Sequence, residues 1–295
     1  MALGSALTAA LALGGLGLVL GAALALFHRV FYVYEDPRIE QVEELLPGGN
    51  CGACGNAGCH AFAEAVVAGG IAPSACTAVS PETTEAIAEL LGVDAGESEK
   101  RVARLACAGG RHVARMRALY EGMESCRAAA VAGGGGKGCA WGCLGLGDCL
   151  AACDFGAITM DENGLPVVDE AKCTACNRCV EVCPRNLFSI HPVSHRLWVA
   201  CSNEDEGERA EADCEVACTA CGKCAADAPQ ELITVTDNLA RVDYSKNALA
   251  TRQVIQRCPT GAIVWYGAAG GPEKGAEAKR IVRREPLPLA GDTEG

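Results

Sequence analysis

The sequence predicts an α+β chain in which an apolar transmembrane helix leads into a small, mainly helical module and then into two tandem copies of one hairpin-containing unit. Three observations carry this prediction. No charged residue occurs from Ala2 to Phe27; a cysteine pattern recurs with a period of 75 residues; and each copy of that pattern contains two short extended stretches around a turn.

The N-terminal run would form a helix of roughly 39 Å at 1.5 Å per residue, enough to cross a ~30 Å hydrocarbon core. A cleaved signal peptide normally begins with a basic stretch, but here no Lys or Arg precedes Arg29, and a soluble core helix rarely stays apolar for so long. Residues 1–28 are therefore expected to be a single-pass anchor. Arg29 and Arg38 follow the span and nothing basic precedes it, which predicts a body on the cytoplasmic side of the cell's inner membrane. That compartment keeps thiols reduced.

The body is unusual in composition. Half of the 295 residues are apolar, yet only 4% are aromatic, while there are 36 Gly and 20 Cys. Such a chain suits small domains nucleated around inorganic centres better than one large side-chain core. The net charge of −12 excludes a nucleic-acid partner, which would need clustered Lys and Arg.

Residues 29–110 read as the helical module. Ile39, Val42, Leu45 and Leu46 recur at helical spacing before Pro47-Gly48-Gly49; Ala61 to Val67 forms a helix ended by Gly69-Gly70; and Ser80-Pro81 opens another that runs to Leu91-Gly92. Between them lies Cys51-x2-Cys54-x4-Cys59-x16-Cys76, with Gly52, Gly55 and Gly58 allowing the backbone to wrap closely. Zinc and a 4Fe-4S cluster both suit four such cysteines, and the cluster is favoured by the company it keeps in this chain.

The repeat occupies residues 126–199 and 200–268. Cys126, Cys139, Cys143, Cys149 and Cys183 are matched 75 residues on by Cys201, Cys214, Cys218, Cys224 and Cys258. Hairpins are predicted from Ala157 to Asp169 and from Leu232 to Tyr244. Residues 269–295, polar and rich in Gly and Pro, are expected to be a disordered tail.

The most specific motif is Cys173-x2-Cys176-x2-Cys179-x3-Cys183-Pro184, a run like that of bacterial two-cluster ferredoxins, in which the fourth cysteine serves the other cluster. By that logic Cys153 completes the set of Cys173, Cys176 and Cys179. The companion run Cys139-x3-Cys143-x5-Cys149-x3-Cys153 has Leu146 at its expected central cysteine. Cys143, Cys149 and Cys183 then need a fourth thiolate, for which Cys139 is the candidate, although its repeat-mate Cys214 lies beside a complete set. In the second copy Cys218, Cys221, Cys224 and Cys258 are intact, whereas Ala228, Ala248, Thr251 and Val254 replace the counterparts of Cys153, Cys173, Cys176 and Cys179. All four losses fall on one site. Four 4Fe-4S clusters are expected, or three if the Leu146 site fails.

Several features are read blandly. Gly133 to Gly138 lacks the Ser/Thr and the glycine spacing of a phosphate-binding loop. His60, His112, His191 and His195 share no ligand spacing and are read as surface or packing residues, Cys107 stands alone as a free thiol, and Cys126 and Cys201 are taken as structural or outer-shell groups. No catalytic nucleophile and base pair stands out.

With these residues in view, the chain resembles the B subunits of Rnf complexes, the ion-translocating ferredoxin:NAD oxidoreductase family. The resemblance rests on the apolar N-terminus, on Gly49-Asn50-Cys51-Gly52-Ala53-Cys54-Gly55 through Cys76, and on Lys137-Gly138-Cys139-Ala140-Trp141-Gly142-Cys143-Leu144-Gly145-Leu146-Gly147. It implies an electron-transfer subunit of a translocase, working with other subunits of that membrane complex and with soluble ferredoxin as electron donor, and coupling electron flow towards NAD to Na⁺ or H⁺ movement. Lys172, Arg178 and Arg185 are candidates for a basic ferredoxin-docking patch on this acidic chain. The alternatives are a polyferredoxin-like subunit of a hydrogenase or dehydrogenase, which needs neither the Cys51–Cys76 module nor an anchor, and a non-redox metal scaffold.

Overall fold

A computed structural model describes residues 2–31, 34–97, 99–267 and 271–289. Helix α1 (Ala2–Phe31) stands apart from the body: its stretch Ala10–Phe31 has a mean hydropathy of 2.3 and none of it is buried. Leu18, Val19, Leu24 and Phe27 lie open along it. Among the described residues it is the one helix long and apolar enough to cross a membrane.

The module packs α2 (Pro37–Leu45), α3 (Cys59–Val67) and α4 (Pro81–Leu91) around Val42, Leu46, Phe62, Ala63, Val66 and Ile87. Local chemistry sets the starts of α2 and α4 and the stop of α4. Asp36 caps α2 by accepting from the Arg38 amide, and Ser80 Oγ caps α4 by accepting from Thr83 N at 3.2 Å. Gly92 ends α4 in the left-handed region at φ 65°, where a Cβ would be strained.

The rest of the body comprises β1 (Arg101–Leu105), α5 (Cys126–Val131), α6 (Asp148–Ala151), β2 (Ile158–Met160), β3 (Pro166–Val168), α7 (Arg178–Val182) and β4 (Phe188–Pro192). It continues with β5 (Leu197–Val199), α8 (Gly207–Asp213), α9 (Lys223–Asp227), β6 (Ile233–Thr236), β7 (Leu239–Val242), β8 (Ile263–Tyr266) and β9 (Pro272–Lys274). The two expected hairpins are β2–β3, with Ile158 opposite Val168, and β6–β7, with Ile233 opposite Val242. Elements recur at the cysteine period: α6 with α9, β2 with β6, and β4 with β8.

Each copy is closed by a strand that precedes it. Antiparallel β1–β4 sets Arg101 opposite Pro192 and Leu105 opposite Phe188, and β5–β8 sets Leu197 opposite Trp265. Strand β1 falls in the stretch that sequence grouped with the helical module, yet it pairs with the first copy. Its partner is far along the chain, so no local pattern marks the pairing. The copies are tied together by side chains of this strand region: Trp198 Nε1 donates to Leu105 O at 2.8 Å and Ser202 Oγ to Ala106 O at 3.0 Å. Arg104, 3% exposed, pairs with Glu170 and lies 3.8 Å over the Tyr266 ring.

Residues 271–289 depart from the expected disordered tail, of which residues 269, 270 and 290–295 lie outside the described residues. Strand β9 adds to β8, the Lys279 amide donates to Pro259 O at 2.9 Å, and the Leu287 amide donates to Arg111 O at 3.1 Å. Ile281 packs on the second copy's core, and Arg283 reaches Glu215 at 3.3 Å. Backbone pairing and ion pairs hold a segment that lacks the apolar content by which order is read in sequence. At Gly275 a Cβ would collide with the Ile255 backbone carbonyl. Gly275→Ala should therefore loosen this segment, with tryptic cleavage at Lys274, Lys279 and Arg283 about tenfold faster in limited proteolysis; unchanged cleavage would count against the docking.

His191 meets the rings of His195 and Tyr244 at a tilt and that of Trp198 edge-on, while His195 stacks on Tyr244. Burial, then His195, Arg101 and Arg104, push His191 down to about 4 from 6.5. Its neutral form is thus favoured by folding. The contribution is complete above pH about 6.5 and is lost as pH falls toward about 4, because the unfolded chain takes the proton first. Urea denaturation at pH 7 and pH 4.5 should show His191→Gln with a shallower acid loss, by up to about 2 kcal/mol after discounting for the ring's partial exposure.

Candidate cluster-binding sites

The structure gathers twelve of the predicted cysteines around three spaces, four to each. Cys51, Cys54, Cys59 and Cys76 line a cavity of 370 Å³ with Phe62 and Phe155. Its loop wraps because Asn50, Gly52, Gly55 and Gly58 all have positive φ (43°, 71°, 84° and 136°). Asn50 Oδ1 accepts from the Cys59 amide at 2.8 Å, and a Cβ on Gly58 would come within 2.7 Å of that oxygen. Glycine is therefore required there. Thr77 Oγ1 donates to Thr174 O at 2.7 Å, fastening this loop to the next site.

Cys153, Cys173, Cys176 and Cys179 line a second cavity of 340 Å³, for which Phe155 is again a wall. Cys218, Cys221, Cys224 and Cys258 line a third of 380 Å³. Both are wrapped by Cys-Thr-Ala-Cys loops whose alanines, Ala175 and Ala220, sit at φ 57° and 52°, followed by Asn177 and Gly222 at 69° and 73°. Those left-handed turns curl three sulfurs around one space, and the short helices α7 and α9 then carry Cys179 and Cys224 inward. Backbone amides aim at sulfur: Ala103 N donates to Cys173 Sγ and Ala157 N to Cys153 Sγ, each at 3.4 Å.

Of the remaining run cysteines, Cys149 has Cys126 and Cys183 as neighbours, and Cys143 has Cys107 and Cys126. Burial pushes Cys149 up to about 11, with Cys126 and Cys183 adding to the rise. Burial likewise pushes Cys143 up to about 12, and Cys107 and Cys126 add to it. Asp148, on the first turn of α6, brings Cys126 there: it accepts from Cys126 N at 2.9 Å, Arg127 N at 3.0 Å and Ser125 Oγ at 3.0 Å, pinning the start of α5 beside Cys149. Cys139, the candidate from sequence, lines a different cavity with Cys107, Cys201 and Cys214. Sequence spacing held no sign of Cys126, since its approach depends on the α5–α6 contact; Asp148 beside Cys149 was the available hint.

These sites fit a 4Fe-4S group. Burial pushes Cys179 and Cys224 up to about 12, and neighbouring thiols add to it, so such sulfurs become thiolates only beside a compensating cation. Among the described residues no three His, Cys, Asp or Glu side chains converge on a single-ion position. The cysteines surround a space instead of meeting at the short Zn–S distance of about 2.3 Å. His60 pairs with Glu43 at 2.7 Å and does not line the cysteine cavity, and His191 and His195 belong to the aromatic cluster with Tyr244.

Comparison with known proteins agrees with this geometry. A family model described as a putative Fe-S cluster matches residues 46–78, and one described as a 4Fe-4S dicluster domain matches residues 140–190. The chain is 45% identical over 258 residues to the B subunit of the Na(+)-translocating ferredoxin:NAD(+) oxidoreductase complex of Acetobacterium woodii, covering 86% of this chain and 77% of that protein. It is 40% identical to the B subunit of the ion-translocating oxidoreductase complex of Methanosarcina acetivorans, covering 85% and 95%. It is also 40% identical to the B subunit of the proton-translocating ferredoxin:NAD(+) oxidoreductase complex of Clostridium ljungdahlii, covering 84% and 88%. On sequence, fold and cysteine geometry together, the chain belongs to the family of B subunits of Rnf-type ion-translocating oxidoreductase complexes.

Proposed function

We propose that this chain is the iron–sulfur electron-transfer subunit of an Rnf-type complex that passes electrons from reduced ferredoxin towards NAD and couples their flow to Na⁺ or H⁺ translocation. The observation that carries the reading is the match between spacing and space: three cavities, each lined by the four cysteines that the motifs had grouped. The clusters, when bound, supply one-electron chemistry.

The chain's own part is to hold and insulate these centres. Cys51, Cys54, Cys59 and Cys76 would hold one, Cys153, Cys173, Cys176 and Cys179 a second, and Cys218, Cys221, Cys224 and Cys258 a third. Cys143, Cys149 and Cys183 would hold a fourth, completed by Cys126. Amides at Ala103 and Ala157 stabilise negative charge on sulfur, and Phe155 keeps water from the wall shared by two sites. Helix α1 would anchor the chain in the cytoplasmic membrane with the body on the cytoplasmic side, as Arg29 and Arg38 favour.

The ferredoxin donor would meet the first copy near Lys172 and Arg178. Their side chains are 63% and 43% exposed, and each is offset by one carboxylate, Asp169 at 3.7 Å and Asp154 at 2.5 Å. Arg185 is only partly exposed and its Nε is buried, so it is the weakest member of the patch.

The test is reduction of the anaerobically purified chain by reduced ferredoxin, followed by EPR. Signals from several interacting 4Fe-4S centres are expected, and an iron-poor, zinc-loaded, EPR-silent protein would refute the proposal. Lys172→Glu with Arg178→Glu should slow reduction about tenfold at low salt and flatten its salt dependence. Cys126→Ala should remove about four iron per chain; full iron content would return the fourth ligand to another residue.

A further inference from the structure

The cavity lined by Cys107, Cys139, Cys201 and Cys214 has 320 Å³ of space, close to the 380, 370 and 340 Å³ of the three cavities already described. Like them it is lined by four cysteines, although only Cys139 belongs to a run in the sequence. All four are free thiols, three of them buried and Cys107 partly so.

Their arrangement follows the repeat. The Ala106 amide donates to Leu187 O at 2.8 Å and the Ala200 amide to Ala262 O at 2.7 Å, and residues 187 and 262 are one period of 75 apart. Ala106 and Ala200 are therefore equivalent positions just beyond the closing strands β1 and β5, which makes Cys107 the counterpart of Cys201. The 75-residue match of Cys126 to Cys201 seen in sequence is thus not the structural one. A second symmetric pair of bonds agrees: Cys143 N donates to Cys107 Sγ at 3.4 Å, and its repeat-mate Cys218 N donates to Cys201 Sγ at 3.3 Å. Cys139 and Cys214 are themselves repeat-mates. Each copy contributes one strand-end cysteine and one cysteine four residues before Cys143 or Cys218.

The surroundings are those of a cluster site. Asn203, 1% exposed, donates its side-chain amide to Cys139 Sγ and its backbone amide to Cys201 Sγ, both at 3.4 Å. A Cβ on Gly109 would stand 3.0 Å from Cys214 Sγ and 3.7 Å from Cys107 Sγ, so glycine lets the backbone close on the sulfurs. Lys137 lines the cavity and is held there by the carbonyls of Gly109 and Cys143, both at 2.6 Å. Burial pushes Cys214 up to about 12, with Cys107 adding and Lys137 opposing. A partly buried cation beside four cysteine sulfurs suits a site whose bound form carries net negative charge.

Building on the cluster reading above, we infer that Cys107, Cys139, Cys201 and Cys214 ligate a fifth 4Fe-4S cluster, built from equivalent positions of the two copies. Its ligands Cys107 and Cys201 would link it to the Cys143 and Cys218 groups through the amides they accept. With it, the 20 cysteines fall into five sets of four. The Leu146 gap also acquires a reason: Cys126 serves the first copy where a run cysteine is missing, which leaves Cys139 to the shared site.

The full chain, purified anaerobically, is assayed for iron and sulfide, and native alkylation followed by mass spectrometry identifies unprotected cysteines. About twenty iron and twenty sulfide per chain with all cysteines protected is expected. Cys107→Ala and Cys214→Ala should each fall to about sixteen iron and expose the other three cysteines of the set together. A wild-type content of about eighteen iron or fewer, with Cys107, Cys139, Cys201 and Cys214 alkylated while the other cysteines stay protected, overturns the fifth site alone. Alkylation of cysteines in every set would instead mean that the underlying cluster reading has failed. Because the wild-type measurement decides between these outcomes, the inference stays falsifiable if a variant does not fold.

Discussion

A buried thiol is stable as a thiol and costly as a thiolate unless a cation faces it, and this constraint organises the whole body. With 4% aromatic residues the chain has few large side chains to fill its interior. Cysteines take their place in the packing: Cys201, Cys214, Cys218, Cys224 and Cys258 belong to the core of the second copy, and Cys149 and Cys179 to that of the first. Sulfur-lined spaces set among these cores couple folding to what fills them, so folding and cofactor acquisition are one process under the function proposed here.

The local backbone serves that constraint. Short helices and left-handed residues do the wrapping, and long-range strand pairs do the closing. The β1–β4 and β5–β8 pairs are individually small, but each brings a cysteine to the join between copies, and Trp198 and Ser202 cross that join to the β1 region. The buried Arg104, held by Glu170 and Tyr266, locks the same region from the other side. A charged group so placed is tolerable only because both partners are present, which favours one relative arrangement of the two copies.

This architecture suits a family whose members carry electrons within a membrane complex. The sites are neighbours through shared walls and shared hydrogen bonds: Phe155 borders two, Thr77 ties the module loop to the next, and Cys107 accepts from the amide of Cys143. Rigid spacing between centres matters for electron transfer, and here it comes from contacts between ligand loops. Helix α1, uncovered and apolar, leaves the body free of any structural duty to bury it.

What the sequence determined by itself is whatever depends on near neighbours. Capping at Ser80 and Gly92, the two hairpins, and the Cys51–Cys76, Cys153–Cys179 and Cys218–Cys258 groupings were legible because helix caps, turns and ligand loops act over a few residues, or because a repeat made distant members visible. Tertiary structure alone decided the partners of isolated cysteines. Cys126 reaches its group through the Asp148 cap, and Cys107 meets Cys201 only once β1 has paired with β4, since a strand's partner is chosen by packing across the whole chain and leaves no periodic trace. The C-terminal segment obeys the same division: its composition reads as polar, but backbone bonds to Pro259 and Arg111, made by residues distant in sequence, hold it in place.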